Sequence, residues 1–219
     1  MKIKAIKYYL SSINTIIHCF SRWYTIPLLI FIHPLPFAIK NKGAYYADNL
    51  MDIWTLKEVL LDDCYKINKC KKLSTVIDIG ASIGDFSLFV SSIAERVISC
   101  EFDKNRLHLL KNNILRAKVK NIIIIPNKIT TLDSILKNGE HSYDLLKIDC
   151  EGSEYPILLN SRMSTLKKIN RMIGELHFFN EKMKADYICL KKKLKDAGFT
   201  LLTWGNPVHN SICYFSATR

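Results

Sequence analysis

Val76-Ile77-Asp78-Ile79-Gly80-Ala81-Ser82-Ile83-Gly84-Asp85 is the stretch that decides the fold. An apolar run ends in an acid, turns at a glycine and leads into residues that start a helix, the local grammar of a buried parallel strand entering a crossover. Glycine at the turn permits positive φ, and the backbone N–H groups and the helix start face whatever sits above the sheet edge. A ligand site is therefore expected at Asp78, Gly80, Ala81, Ser82 and Gly84. The dinucleotide fingerprint G-x-G-x-x-G requires glycine at the positions of Ser82 and Asp85, which places NAD second, and a phosphate loop ending in Gly-Lys-Ser/Thr is absent.

Outward from this stretch, apolar strands alternate with amphipathic helices. Strands are expected at Thr75–Ile79, Arg96–Glu101, Asn121–Ile125, Tyr143–Asp149 and Arg171–His177. Helices are expected at Asp85–Glu95, Lys104–Ala117, Leu132–Lys137, Glu154–Leu166 and Lys182–Ala197, the last stopped by Gly198. Phe199–Trp204 and Ile212–Ala217, joined through Gly205-Asn206-Pro207, must run antiparallel, so the sheet is mixed. The expected class is α/β, a doubly wound, mostly parallel sheet with an antiparallel C-terminal strand pair and a helical N-terminal extension. Upstream, Asn41-Lys42-Gly43 between Phe37 and Ala47 reads as a hairpin turn, with a helix after it from Met51 to Cys64.

With 219 residues, 48% of them hydrophobic, the chain has material for one substantial core. The net charge of +12 concentrates in lysines near the start and between Lys182 and Lys195, a solvated helix face or a surface for anionic partners. Seven cysteines without a C-x-x-C pair suggest reduced, partly buried thiols, and neither a disulfide framework nor a zinc site. Ile3, Ile6, Leu10, Ile13, Ile17, Phe20 and Tyr24 form one apolar helix stripe. The apolar run Trp23–Ile32 is interrupted by Pro27 and ends well short of the ~20 residues a spanning helix needs, which argues against a membrane anchor. Ser11, Ser12 and Asn14 argue against a signal peptide, so a cytoplasmic protein is expected. Helices of this kind pack on their own domain more often than they lie on a membrane surface, and peripheral membrane contact is the less favoured alternative.

Glu101 ends the second sheet strand about twenty residues after the glycine turn, where an acid accepts both ribose hydroxyls of a nucleoside. Phe102 beside it is placed to lie against an adenine ring. Together with the glycine turn, this spacing points to S-adenosylmethionine. In Asp144-Leu145-Leu146-Lys147-Ile148-Asp149-Cys150-Glu151-Gly152-Ser153-Glu154, three acids within six residues crowd a strand's carboxyl edge, which suggests function because clustered carboxylates repel. Period-two alternation puts Glu175 and His177 on one side of the fifth strand, near the same edge.

These segments, together with Thr131-Leu132-Asp133, resemble the FkbM family of methyltransferases from roughly Val76 to His177, the stretch from Leu146 to Glu154 being the most specific part. The resemblance implies a class I methyltransferase fold, S-adenosylmethionine as donor, and transfer to a hydroxyl oxygen of a sugar or other small natural product. The segment between Ile125 and Thr130 is shorter than is typical of the family, and Asn127 is the candidate for adenine contact there. The expected division is a helical extension and hairpin over 1–70, packed on the core, and a methyltransferase domain over 71–219. Asp149 is expected near the transferred methyl group and His177 as base or acceptor-orienting residue. Glu151, Glu154 and Glu175 are expected at acceptor hydroxyls, and no metal is assigned. An RNA methyltransferase and a non-catalytic binding protein that keeps the fold are the alternatives. Against the first, motifs for amino-group or cytosine methylation and an RNA-binding appendage are missing.

Overall fold

The computed structural model describes residues 3–68, 72–136 and 142–219. Cys70, Lys137 and the expected boundary at 70/71 lie outside the described residues. Helix α1 (Ile3–Cys19) and a 3-10 helix (Trp23–Ile30) precede a hairpin of β1 (Leu35–Ile39) and β2 (Gly43–Ala47), then α2 (Leu50–Leu60). The alternating part runs β3 (Leu73–Ile79), α3 (Asp85–Ser91), β4 (Ala94–Cys100), α4 (Lys104–Ala117) and β5 (Ile122–Ile125). After a 3-10 turn at Leu132–Ser134 come β6 (Tyr143–Ile148), α5 (Glu154–Asn160), α6 (Met163–Leu166) and β7 (Ile169–His177). Helix α7 (Glu181–Asp196), β8 (Thr200–Gly205) and β9 (Ile212–Thr218) complete the chain.

Seven strands form one sheet in the order β5-β4-β3-β6-β7-β9-β8. The first five pair in parallel, and β9 inserts antiparallel between β7 and β8. Numbering only these strands, the order is 3-2-1-4-5-7-6, against 3-2-1-4-5-6 for a dinucleotide-binding sheet. The expected antiparallel ending is present, and its last strand sits inside the sheet. Strand alternation sends Ile77, Ile79, Leu146 and Ile148 into one core layer, and Val76, Val97, Leu145 and Ile173 into the other. Both faces are covered, which is why the central strands read as unbroken apolar runs.

Two expected helices end early for reasons that lie far away in sequence. Asn121 donates from Nδ2 to the carbonyls of Ser91 and Ala94, which ends α3 there and starts β4 ahead of Arg96. The helix expected over Glu154–Leu166 breaks at Ser161, whose backbone is extended. Ser161 Oγ accepts from Leu132 N, and Asp133 accepts from Arg162 N and from the Thr165 hydroxyl. The 3-10 turn thus binds the break and holds it open. Helix α4 keeps its expected bounds because Asp103 caps the amides of Asn105 and Arg106.

The N-terminal elements share one core layer with the sheet: Phe37, Tyr45 and Leu56 pack with Val76, Phe86 and Val97. Fully buried Asn113 joins the two parts. Its Oδ1 accepts from Tyr46 N at 2.6 Å, and its Nδ2 donates to the carbonyls of Tyr46 and Ile83 at 3.2 and 2.8 Å. Helix α1 also packs on the domain, but with Ile6, Leu10, Ile13 and Ile17 facing outward. No helix among the described residues is long and apolar enough to cross a membrane.

Replacing Asn113 with Leu takes the side-chain partner from three backbone groups, the buried Ile83 carbonyl and the part-buried N–H and carbonyl of Tyr46. The expected loss is about 2–4 kcal/mol in urea unfolding, with the strand content retained; a midpoint within error of the parent would remove Asn113 as the joint.

Candidate functional site

The carboxyl ends of β3, β4 and β6 meet where the strand order reverses, the point at which open α/β sheets bind ligands. A cavity of about 340 Å³ opens there, within the roughly 300–1,000 Å³ usual for small-molecule sites. Of the residues singled out in the sequence, Gly80, Ser82, Glu101, Phe102, Asn127, Asp149 and Glu151 line it. The crevice is open and is not filled by the protein's own side chains.

Gly80 shapes the floor. Its φ is +78°, and a Cβ built there would lie 1.9 Å from the Asp149 carbonyl oxygen, so no other residue lets β3 turn this close to the end of β6. Glu101, at the tip of β4, accepts from Ser82 N and from Asp103 N, each at 2.8 Å. A carboxylate has about four acceptor positions, so two remain for a ligand's hydroxyl pair. Half-exposed Phe102 stands beside Lys128, whose Nζ lies 5.5 Å from the ring centroid. Ile79, Ile129 and Ile157 supply apolar wall, and the short segment after β5 contributes Asn127, Lys128 and Ile129.

Asp78, Ala81 and Gly84 are placed differently from the other residues assigned to the ligand: none lines the cavity. Asp78 is fully buried beneath it, accepting from Ser87 Oγ at 2.6 Å and facing Lys147 Nζ at 3.2 Å. Ala81 and Gly84 set the turn. Lys147, which the sequence reading passes over, is the centre of this layer. It pairs with Asp78 across the strands and donates to the Gly80 carbonyl at 2.8 Å. Burial opposes its charge, but Asp78, Asp149 and Asp85 outweigh burial and raise its pKa. Asp85, buried at the cavity edge, is pushed from its ordinary 3.8 up to about 7, first by burial; Lys147 pulls the other way and Asp78 adds to the rise.

Behind Asp149 lies a second group of polar side chains. His177 is 1% exposed and does not line the cavity; its Nδ1 donates to Glu154 Oε1 at 2.9 Å. Its Nε2 faces Glu175 at 3.5 Å and Glu151 at 3.7 Å. Burial lowers the His177 pKa, yet the hydrogen bond and charge of Glu154 prevail and raise it. Glu175 is raised, first by burial and then by the Asp149 charge. Glu154, expected at an acceptor hydroxyl, is fully buried, and its oxygens serve Gly152 N and His177 instead. Glu151 is the exposed acid of the group. Asp149, Glu175 and His177 offer ligand atoms within 4.8 Å of one another, a set of two carboxylates and an imidazole that could hold a metal ion.

Three contributors come from outside the motifs. Tyr65, buried in the loop before β3, donates to Asp149 Oδ2 at 3.0 Å. Thr55 of α2 and Arg106 of α4 complete the wall, Arg106 being held by Asp52 at 2.8 and 2.9 Å. Nothing local in the sequence marks them, since each reaches the site through packing of separate elements.

The sheet order with its inserted antiparallel strand is the class I methyltransferase fold. Residues 116–201 match the family model described as the Methyltransferase FkbM domain, which bears out the resemblance drawn from the sequence; the glycine turn and Glu101 lie before the matched stretch. No curated protein matches the chain by sequence. Among solved structures, a candidate methyltransferase from Streptococcus mutans in complex with S-adenosylhomocysteine is similar at TM-score 0.55 and 14% identity, covering 68% of this chain and 89% of that one. A candidate rRNA methylase from Clostridium thermocellum is similar at TM-score 0.55 and 10% identity, covering 68% and 87%. A precorrin-6y C5,15-methyltransferase from Geobacter metallireducens is similar at TM-score 0.51 and 13% identity, covering 68% and 81%.

Asp85 gives the site a pH signature. Its raised pKa means the neutral acid stabilises the fold below about pH 4 and that contribution is lost as pH rises through about 7. Asp85→Asn is expected to gain progressively on the parent as pH rises from about 4 to about 7, by on the order of 1–4 kcal/mol in urea unfolding, and to keep that gain above it. Parallel pH profiles for the two proteins would refute the assignment.

Proposed function

We propose that this chain is an S-adenosylmethionine-dependent methyltransferase acting on a hydroxyl oxygen of a sugar or other small natural product. One observation carries the reading: an open cavity at the strand-order reversal whose wall includes both Glu101, after β4, and Asp149, after β6, the two strands that flank β3. The donor set fits the cofactor. Glu101 has acceptor capacity for two ribose hydroxyls, Phe102 and Asn127 suit an adenine face and edge, and Gly80 and Ser82 offer close backbone approach. When bound, the cofactor supplies a methyl group activated on a sulfonium.

The chain's own task is alignment and proton removal. An alcohol is a weak nucleophile at neutral pH, and a positioned base contributes roughly 10²–10⁴-fold. Asp149, exposed to the cavity and anchored through Tyr65, is the group placed to receive that proton. His177 cannot reach the cavity directly and acts as a positioning residue, held by Glu154 against Glu175 and Asp149. Glu151, exposed in the cavity wall although one of its oxygens faces His177, is the acid suited to meet acceptor hydroxyls.

S-adenosylhomocysteine at about 100 times its dissociation constant is expected to stabilise the fold by about 2.7 kcal/mol. Glu101→Ala should weaken that ligand about tenfold to hundredfold by calorimetry; unchanged affinity would sink the cofactor reading.

His177→Gln should leave cofactor affinity intact and lower transfer from labelled donor to a glycan or small-molecule acceptor by roughly 10²-fold. Undiminished transfer removes His177 from the mechanism, and label appearing in RNA instead redirects the acceptor assignment.

A further inference from the structure

Helix α1 leaves much of its apolar stripe outside. Its inward side combines Ile16 and Cys19, which pack on the core, with a buried polar contact. Ser12, fully buried, accepts a hydrogen bond from Lys57 Nζ at 2.8 Å, and Tyr8 donates to Glu58 and Asp62 at 3.1 and 2.7 Å. Lys57 is itself 2% exposed, and its ammonium lies 4.0 Å from the Tyr8 ring centroid and 2.5 Å from Asp62. Turning the helix to bury its apolar stripe would take Ser12 and Tyr8 away from this buried cation, a loss that burial of Leu or Ile does not replace. Four residues of the stripe therefore stay outside, Ile6, Leu10, Ile13 and Ile17, Leu10 being 64% exposed, while Phe20 at its end is buried.

The apolar surface continues into the 3-10 helix, which touches α1. Trp23, Tyr24, Leu28, Ile30, Phe31 and Ile32 are all exposed, Phe31 by 82%. A contiguous apolar face of this kind on a single chain marks an interaction surface. Charge identifies the partner. The first 47 residues contain no Asp or Glu, against Lys2, Lys4, Lys7, Arg22, Lys40 and Lys42. Apposing two copies of this segment would bring like charges together, whereas an anionic lipid surface offers acyl chains to the stripe and phosphate to the cations. Trp and Tyr at its margin suit the boundary between lipid and water.

We propose that the outer face of α1 and the Trp23–Ile32 segment dock this chain peripherally on an anionic membrane surface. The docking is independent of methyl transfer, because none of these residues lines the cavity.

The test is co-sedimentation of the full chain with phosphatidylserine-containing vesicles and with pure phosphatidylcholine vesicles. Stronger binding to the anionic vesicles, weakened by added salt, is expected. The double variant Leu10→Glu/Ile13→Glu and, separately, Phe31→Glu should each reduce the partition coefficient at least about tenfold. All three substitutions fall at exposed positions, so the thermal midpoint and the shift with S-adenosylhomocysteine should stay at parent values and separate lost docking from lost folding. Absence of binding to anionic vesicles, equal binding by the variants, or a stable dimer in sedimentation velocity that Phe31→Glu dissociates without any vesicle binding would each overturn the proposal.

Discussion

One buried cation organises the ligand end of the sheet. Lys147 sits in β6 directly opposite Asp78 in β3, and its ammonium also holds the Gly80 carbonyl. Asp78, Asp85 and Asp149 all press their charges on it. Without the lysine, the acids would be forced to neutralise or the strands to separate, because an uncompensated buried charge costs more than a surface pair returns. The cation therefore does two things at once. It makes an acid tolerable at the end of β3, and it pins the turn whose glycine lets the chain lie against the Asp149 backbone. The position of the Asp149 carboxylate in the cavity wall follows from that contact.

The framework was legible in the sequence because sheet strands buried on both faces and amphipathic crossovers leave strong periodic signals. Helix α4 and β6 are clear cases, since caps and apolar runs are local facts. What escaped was set by side chains arriving from elsewhere. Asn121 ends α3 and Asp133 breaks the helix after Glu154, and neither partner is within hydrogen-bonding distance in sequence. In the site, Gly80, Glu101 and Asp149 stood at strand tips and could be placed by register alone. Tyr65, Thr55 and Arg106 could not, because they belong to loops and helices whose approach depends on packing. The buried lysine was readable in principle: a cation inside the otherwise apolar Leu145-Leu146-Lys147-Ile148 needs a buried acid beside it.

The crowded acids after β6 divide by depth, and depth decides their chemistry. The expectation that three nearby carboxylates are all functional treats them as equivalent, yet Glu154 is buried and Glu151 is largely exposed. Glu154 makes hydrogen bonds to the backbone and ring of His177, so it shapes the group behind the cavity and leaves ligand contact to others. Asp149 lies between the layers, with Tyr65 fixing one oxygen. A carboxylate held in this way keeps its orientation while a ligand comes and goes, which is the requirement for alignment-driven transfer.

Helix α2 connects this chemistry to the N-terminal surface. Lys57 projects to the polar side of α1, Asp52 holds Arg106 at the cavity wall, and Thr55 lines the cavity itself. The same helix touches the 3-10 segment whose outer side is apolar. A strain applied to the outer face can reach the wall through α2 and through the β1–β2 hairpin that Asn113 joins to α4; α2 is held to α4 by the Asp52–Arg106 pair and to α1 by the Lys57–Ser12 hydrogen bond. The N-terminal elements thus buttress the cavity wall through Thr55, Arg106 and the hairpin–α4 joint, while the outer residues of α1 remain exposed.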